Sequence, residues 1–358
     1  MNAATHALRR EKLRAAIRDR GLDALLVSAA PNRYYLSGFE LHDPQFNESA
    51  GRLVIRANGH DWLATDARYA DAAARLWDAD HIFIYSGDGI SHLARLLRSC
   101  GLRIGFEAAS VSHAFARALR HAAPGLALEA ADGLVEALRI VKDGDEIAAL
   151  RASFQLSHAM LAWVRDNIVP GRSEQELSWD IERYFREHGA SELAFPNIVA
   201  VGPNAALPHA VPGSTRVSEN CPVLIDTGCR VRDYCSDQTR TFWIGDRPSD
   251  AFLRSLEQVQ AAQKAALAVL RPGLPMRDAY AAARRVFENA GVEAHFTHGL
   301  GHGVGLETHE APNLNPRYGG TLRAGMVVTV EPGLYYPQWG GVRWEHTALI
   351  TEDGATLF

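Results

Sequence analysis

The stretch PVLIDTGCRVRDYCSDQTRT, residues 222–241, opens with an apolar run that ends in an acid, Asp226, and carries a second acid, Asp237, eleven residues further on. An apolar run without polar alternation reads as a strand buried on both faces, so Asp226 is delivered into the interior at its end. MVVTVEPG (326–333) repeats the arrangement, with Glu331 after the apolar run, Gly two residues on and a second acid, Glu345, fourteen residues later. Outward from these strands the repetition continues. EIAALRASFQLSHAMLAWVRDNI (146–168) has helical apolar spacing and is stopped by Pro170-Gly171. SEQELSWDIERYFREHG (173–189) follows, starting with a capping box, Ser173 with Glu176, and ending at Gly189. SDAFLRSLEQVQAAQKAALAVL (249–270), Pro272-Gly273 and a helix running to Gly291 restate that unit with an offset of 102 residues. Helices, stops, apolar runs and acids recur in one order, which reads as an internal duplication with a pseudo-twofold relation between the copies.

The four acids define the chemistry. A buried ionised carboxylate costs several kcal/mol unless it is paired or bound to a metal. Two such pairs converging on a pseudo-twofold axis repel one another, and one or two divalent cations resolve the repulsion with oxygen ligands. HGLGHGVGLETHE (298–310) adds His298, His302 and His309 among closely spaced glycines, which allow near approach of backbone. Read alone, that segment fits a solvated loop or a phosphate cradle as well as a ligand loop, although no G-K-[ST] accompanies it and no G-x-S-x-G occurs in the chain.

Upstream, the first 131 residues alternate between strand-like and helical segments. Strands are expected at 22–29, 52–57, 61–65 and 81–86, and helices at 8–20, 66–78, 90–99 and 110–121, the pattern of an α/β domain. The chain thus divides into an α/β domain over 1–131 and an α+β domain with the duplication over 132–358, and its 358 residues suit two domains. Lys plus Arg number 37 against 42 Asp plus Glu, a balance of −5 that leaves no basic footprint for nucleic acid or an anionic membrane. No apolar run approaches a membrane span and the N-terminus has no signal-peptide apolar core. The four cysteines, Cys100, Cys221, Cys229 and Cys235, form no C-x-x-C pair, so a reduced cytoplasmic protein is expected.

These motifs together resemble the pita-bread metallopeptidases, the family of methionine aminopeptidase, aminopeptidase P, prolidase and creatinase. The resemblance is carried by Asp226-Thr227-Gly228, then Asp237-Gln238-Thr239-Arg240-Thr241, G-H-G-V-G (301–305), E-P-G (331–333) and Arg343-Trp344-Glu345, in family order. GLDALLVS, NRYYLSGF (32–39) and TDARY (65–69) resemble the N-terminal domain of its prolidase, aminopeptidase P and creatinase members. The resemblance implies five ligands, Asp226, Asp237, His302, Glu331 and Glu345, holding two divalent cations (Mn, Co, Fe or Zn, with Mn favoured). It implies Glu331 as the group that takes and returns a proton, and His209, His298 and His309 as groups that orient substrate and stabilise the tetrahedral intermediate, with Arg343 fixing the geometry. The cations lower the pKa of water into the neutral range for attack on the scissile carbonyl. His346 stands after Glu345 where Asp is common in the family.

The expected activity is hydrolysis of the bond before proline in small peptides with proline second, Xaa-Pro dipeptides above all, by a homodimer. The alternatives are aminopeptidase P action on longer Xaa-Pro-Yaa peptides, a creatinase-like or ectoine-hydrolase-like amidohydrolase, and a non-catalytic binding protein on the same scaffold, a group in which the ligand set is lost. The polar loop ELHDPQFNESAG (40–51) is expected to limit the cleft, with Asp43 or Glu48 meeting the substrate ammonium, while His209, His298 and Arg343 meet the proline carboxylate.

Overall fold

The computed structural model describes residues 3–45 and 48–358, so positions 46 and 47 of the 40–51 loop lie outside the described residues. Contacts divide the chain into two compact units, Met1–Arg139 and Ile140–Phe358.

The first unit is built on a six-stranded mixed sheet in the order Ile82–Tyr85, Trp62–Asp66, Arg52–Arg56, Ala24–Val27, Arg103–Phe106, Ala127–Ala130. Ala24–Val27 is buried at every position, as its unbroken apolar run requires, and pairs antiparallel with Arg52–Arg56 and parallel with Arg103–Phe106. Four of its strands and the helices near 8–20, 90–99 and 110–121 match the sequence expectation. The expected helix over 66–78 is cut down to a short 3₁₀ turn and Ala70–Ala74. The last two strands and the helix Ala30–Ser37 were not anticipated; Pro31 at its first turn reads as a break but is tolerated there, where no intrahelical N–H is needed.

This unit runs on past residue 131 to Arg139 because buried polar groups hold the segment. The Asn32 amide donates to Glu107 at 2.6 Å and to Glu136 at 2.7 Å, while Arg139 Nη1 donates to the Asn32 carbonyl oxygen at 2.7 Å. Arg33 is fully buried and organises the 40–51 loop through Asp43 at 2.9 Å and the Gly51 carbonyl at 2.8 Å. Asp43 also accepts from the Ala50 N–H, and Glu48 pairs with Arg68 at 3.2 Å. Asp43 is thus engaged within its own unit, since a buried Arg33 guanidinium without a carboxylate would be the costlier arrangement, whereas the Glu48 pair is exposed.

The second unit shows the duplication. Gly144–Asn167 and Glu174–Glu187 precede the antiparallel sheet Gln238–Ile244, Cys221–Thr227, Ile198–Val201; Asp250–Val269 and Met276–Asn289 precede the sheet Glu310–Leu314, Gly301–Gly303, Val327–Val330, His346–Ile350, Ala355–Leu357. The Ser173–Glu176 capping box forms in full. Each half buries its own apolar cluster between its helix pair and its sheet, around Ile181, Phe185 and Val223 in one and Phe287, Val328 and Val342 in the other. Among the described residues no helix is long and apolar enough to cross a membrane.

Candidate metal centre

Strand geometry brings the acids together. Thr239 lies opposite Asp226 in the register of the first sheet, so Asp237, two residues earlier, projects from the same face. In the second sheet the ladder ends at the pair Val330–His346, and Glu331 and Glu345 stand immediately beyond it. The Glu345 N–H donates to the Thr239 carbonyl at 3.2 Å, joining the starts of the two acid-bearing strands. Ligand atoms of Asp226, Asp237 and Glu345 all lie within 4.8 Å of one another, and so do those of Asp237, His302 and His309. His302 Nε2 stands 3.2 Å from Glu331 and 3.6 Å from Asp237. All five expected ligands therefore meet, and His309, expected to face substrate, also comes within reach of the same cluster.

The glycines of G-H-G-V-G act through space. A Cβ at Gly301 would lie 2.0 Å from the Thr329 carbonyl oxygen and one at Gly303 2.3 Å from that of Ala311, so only glycine lets the His302 strand sit against its neighbours.

Around the acids the hydrogen bonds orient one oxygen of Asp226, Glu345 and Glu331 and leave others free. Arg343 Nη2 donates to Asp226 at 2.7 Å, Thr239 donates to Glu345 at 3.0 Å, and Thr329 donates to Glu331 at 3.1 Å. Asp226 Oδ1 and Glu345 Oε1 are buried with no hydrogen-bond partner. His302 Nδ1 donates to the Gly303 carbonyl at 3.1 Å, which fixes the ring with Nε2 directed at the acids. Burial, and then the charges of Glu345, Asp226 and Glu331, push Asp237 well above the usual carboxylate range. Burial and the charges of Glu331 and Asp226 push Glu345 up to about 8. Burial would also raise Glu331, but the His302 hydrogen bond and the charges of His302, His298 and Arg343 outweigh it and hold it at about 2; burial lowers His302, and Glu331 overrides this to bring it up to about 8. Orphaned buried oxygens, mutual repulsion and one oriented imidazole are what a divalent-cation site requires of its ligands.

A cavity of about 650 Å³ opens onto this cluster, walled by Phe195, Ile198, Pro208 and Val211 on its apolar side and by His209, His298 and His309 among others. His298 has both ring nitrogens engaged, Nδ1 at 2.7 Å from the Gly299 carbonyl and Nε2 at 2.9 Å from the Tyr335 hydroxyl. Arg343 is 2% exposed and donates to Asp226, to Tyr335 at 2.8 Å, to Thr239 at 3.0 Å and to the Pro208 carbonyl at 3.3 Å. Its guanidinium is thus a brace for Asp226 at the edge of the same cavity. Tyr335, Thr239 and Thr329 were missed by the sequence reading. Each threonine lies two residues from an acid on the same strand line, a signal that period-2 counting reveals; Tyr335 carries no such signal. Cys229 and Cys235 are buried free thiols.

Fold and site define a metal-dependent hydrolase built on a duplicated α+β unit. Residues 148–352 match metallopeptidase family M24 and residues 9–141 match the creatinase/prolidase N-terminal domain. The chain is 31% identical to the Xaa-Pro dipeptidase of Pyrococcus horikoshii, over 93% of this chain and 92% of that one. A solved structure of an Xaa-Pro dipeptidase from Bacillus anthracis superposes with a TM-score of 0.92 at 33% identity, covering 98% of this chain and 97% of that one. The X-Pro aminopeptidase from Thermotoga maritima gives 0.84 at 30% identity, with 96% and 97% covered. The chain belongs to metallopeptidase family M24: a creatinase/prolidase N-terminal domain followed by a pita-bread catalytic domain, and it is a metal-dependent peptidase.

Proposed function

We propose that the protein hydrolyses Xaa-Pro dipeptides with two divalent cations held by Asp226, Asp237, His302, Glu331 and Glu345. The observation that carries this reading is the meeting of three buried acids, the half-buried Glu331 and one oriented imidazole beside a cavity of dipeptide scale. The dipeptidases named above support the substrate class. When bound, the cations activate water and polarise the scissile carbonyl. Glu331, held in place by Thr329 and His302, takes the proton and returns it to the leaving nitrogen. The bond before proline is a tertiary amide with no N–H to recognise, so the ring is read by shape against Phe195, Ile198, Pro208 and Val211. His209 and His309, both exposed in the cavity wall, meet the substrate's polar groups; His298 lines the same wall and is held in line with Tyr335 and Arg343.

The oxygen-rich donor set with one imidazole suits manganese, and buried free thiols suit a reducing cytoplasm; the proposal includes both, and a homodimer. The test is kcat/KM for Xaa-Pro against Xaa-Pro-Yaa-Yaa with manganese, alongside Met-Xaa and creatine. Dipeptide preference is expected. A clear preference for the longer peptide assigns aminopeptidase P activity instead, and turnover of creatine alone rejects peptidase function.

A further inference from the structure

We propose that Gln263 and His346, together with Arg240, form a hydrogen-bonded clamp that sets the spacing of Glu331 and Glu345, making both positioning residues for the metal site; this rests on the metal-site reading above.

Gln263 projects from the helix Asp250–Val269 and is 4% exposed. Its Nε2 donates to the carbonyl of Val330 and to that of Trp344, each at 2.9 Å. Each of those carbonyls belongs to the residue just before an acid, Glu331 in one strand and Glu345 in the other. The strand ladder breaks at Val330–His346 and resumes only with the Trp344 N–H to the Pro332 carbonyl at 3.3 Å and the pair Gly333–Arg343, so Glu331 and Glu345 stand in a gap between rungs. Buried carbonyls left beyond a ladder need a donor, and one amide nitrogen supplies both.

The donor and acceptor roles then close in a single way. With Nε2 facing two carbonyls, Gln263 Oε1 faces His346 Nδ1 at 2.9 Å, so Nδ1 carries the hydrogen. His346 Nε2 is left as the acceptor for Arg240 Nη2 at 3.2 Å. Arg240 Nη1 donates to the carbonyl of Thr239 at 2.8 Å and to that of Glu345, and its guanidinium lies 4.6 Å over the Trp344 ring. A carboxylate at position 346 would face the Gln263 oxygen and turn the amide away from both carbonyls. Gln263 and His346 are thus a matched pair, and neither lines the substrate cavity.

The experiment titrates the full-length protein with Mn²⁺ by calorimetry and measures kcat and KM on an Xaa-Pro dipeptide at saturating Mn²⁺. Gln263→Met keeps the length and removes the donor; Mn²⁺ affinity is expected to fall roughly 10–100-fold, and kcat to fall with KM unchanged. His346→Leu should do the same. His346→Asn, which keeps an N–H toward Gln263, should restore affinity, and His346→Asp should not. If Gln263→Met does not fold, the Leu and Asn variants at 346 decide alone. Unchanged Mn²⁺ affinity in the folded variants, or a raised KM with kcat intact, overturns the clamp while the metal site stands. Wild-type protein that binds no Mn²⁺ overturns the metal-site reading and the clamp with it.

Discussion

Asp237 carries the sharpest conflict of charge in the chain, buried among Glu345, Asp226 and Glu331. Asp237→Asn keeps the shape and removes one negative charge. Peptidase activity is expected to fall by orders of magnitude, while the metal-free variant resists urea at least as well as the parent because a repulsion has been removed; full activity would sink the ligand assignment. His298 poses a different question. Its ring nitrogens are taken by Gly299 and Tyr335, so it lines the cavity without offering a lone pair to the cluster. His298→Ala should therefore reduce turnover with manganese content unchanged, measured on the same preparation by atomic absorption. Lost metal would make it a ligand.

Among elements, the helix Ala30–Ser37 has the most unusual support. Its first residue follows a cradle in which Glu107 accepts from the N–H groups of Ser28 at 2.6 Å and Ala29 at 2.7 Å and from Asn32 at 2.6 Å. Burial nevertheless dominates those donors and raises Glu107 from 4.5 to about 7. A carboxyl raised in the folded state binds an extra proton there between the two values, so its contribution is present at low pH and is lost as pH rises from about 4.5 to about 7. A shift of this size corresponds to on the order of 3 kcal/mol. Urea unfolding at pH 5 and pH 8 should show wild-type stability falling across that window and Glu107→Gln losing much of the slope. Equal slopes in the two proteins would show that Glu107 is ionised throughout.

For the molecule as a whole, metal binding and stability are one measurement. A cation that binds only the folded chain stabilises it by about 2.7 kcal/mol at a hundred times its dissociation constant. Removing divalent cations by chelation should lower Tm and abolish peptidase activity together, and manganese should restore both. Restored activity without a shift in Tm would mean that the ligands are not assembled by folding.

Much of this protein was legible in its order of residues. The duplication could be read because both copies keep caps, Pro-Gly stops and apolar runs, which are local signals. Asp226 and Glu331 could be read because each ends a run too apolar to leave the core, and Asp237 and Glu345 because a second acid follows each of them in the same order. The resemblance to the family rested on the same short motifs. What the linear order could not carry were relations between distant segments. The extension of the first unit to Arg139 depends on Asn32, and the engagement of Asp43 depends on Arg33. Tyr335 joins His298 to Arg343, and Gln263 reaches two carbonyls 67 and 81 residues away. Buried polar groups are satisfied wherever the fold supplies a partner, and a partner has no spacing rule in sequence. Periodicity and capping therefore determined which residues form the elements and which acids enter the core; only the tertiary structure decided which side chains hold those acids in place.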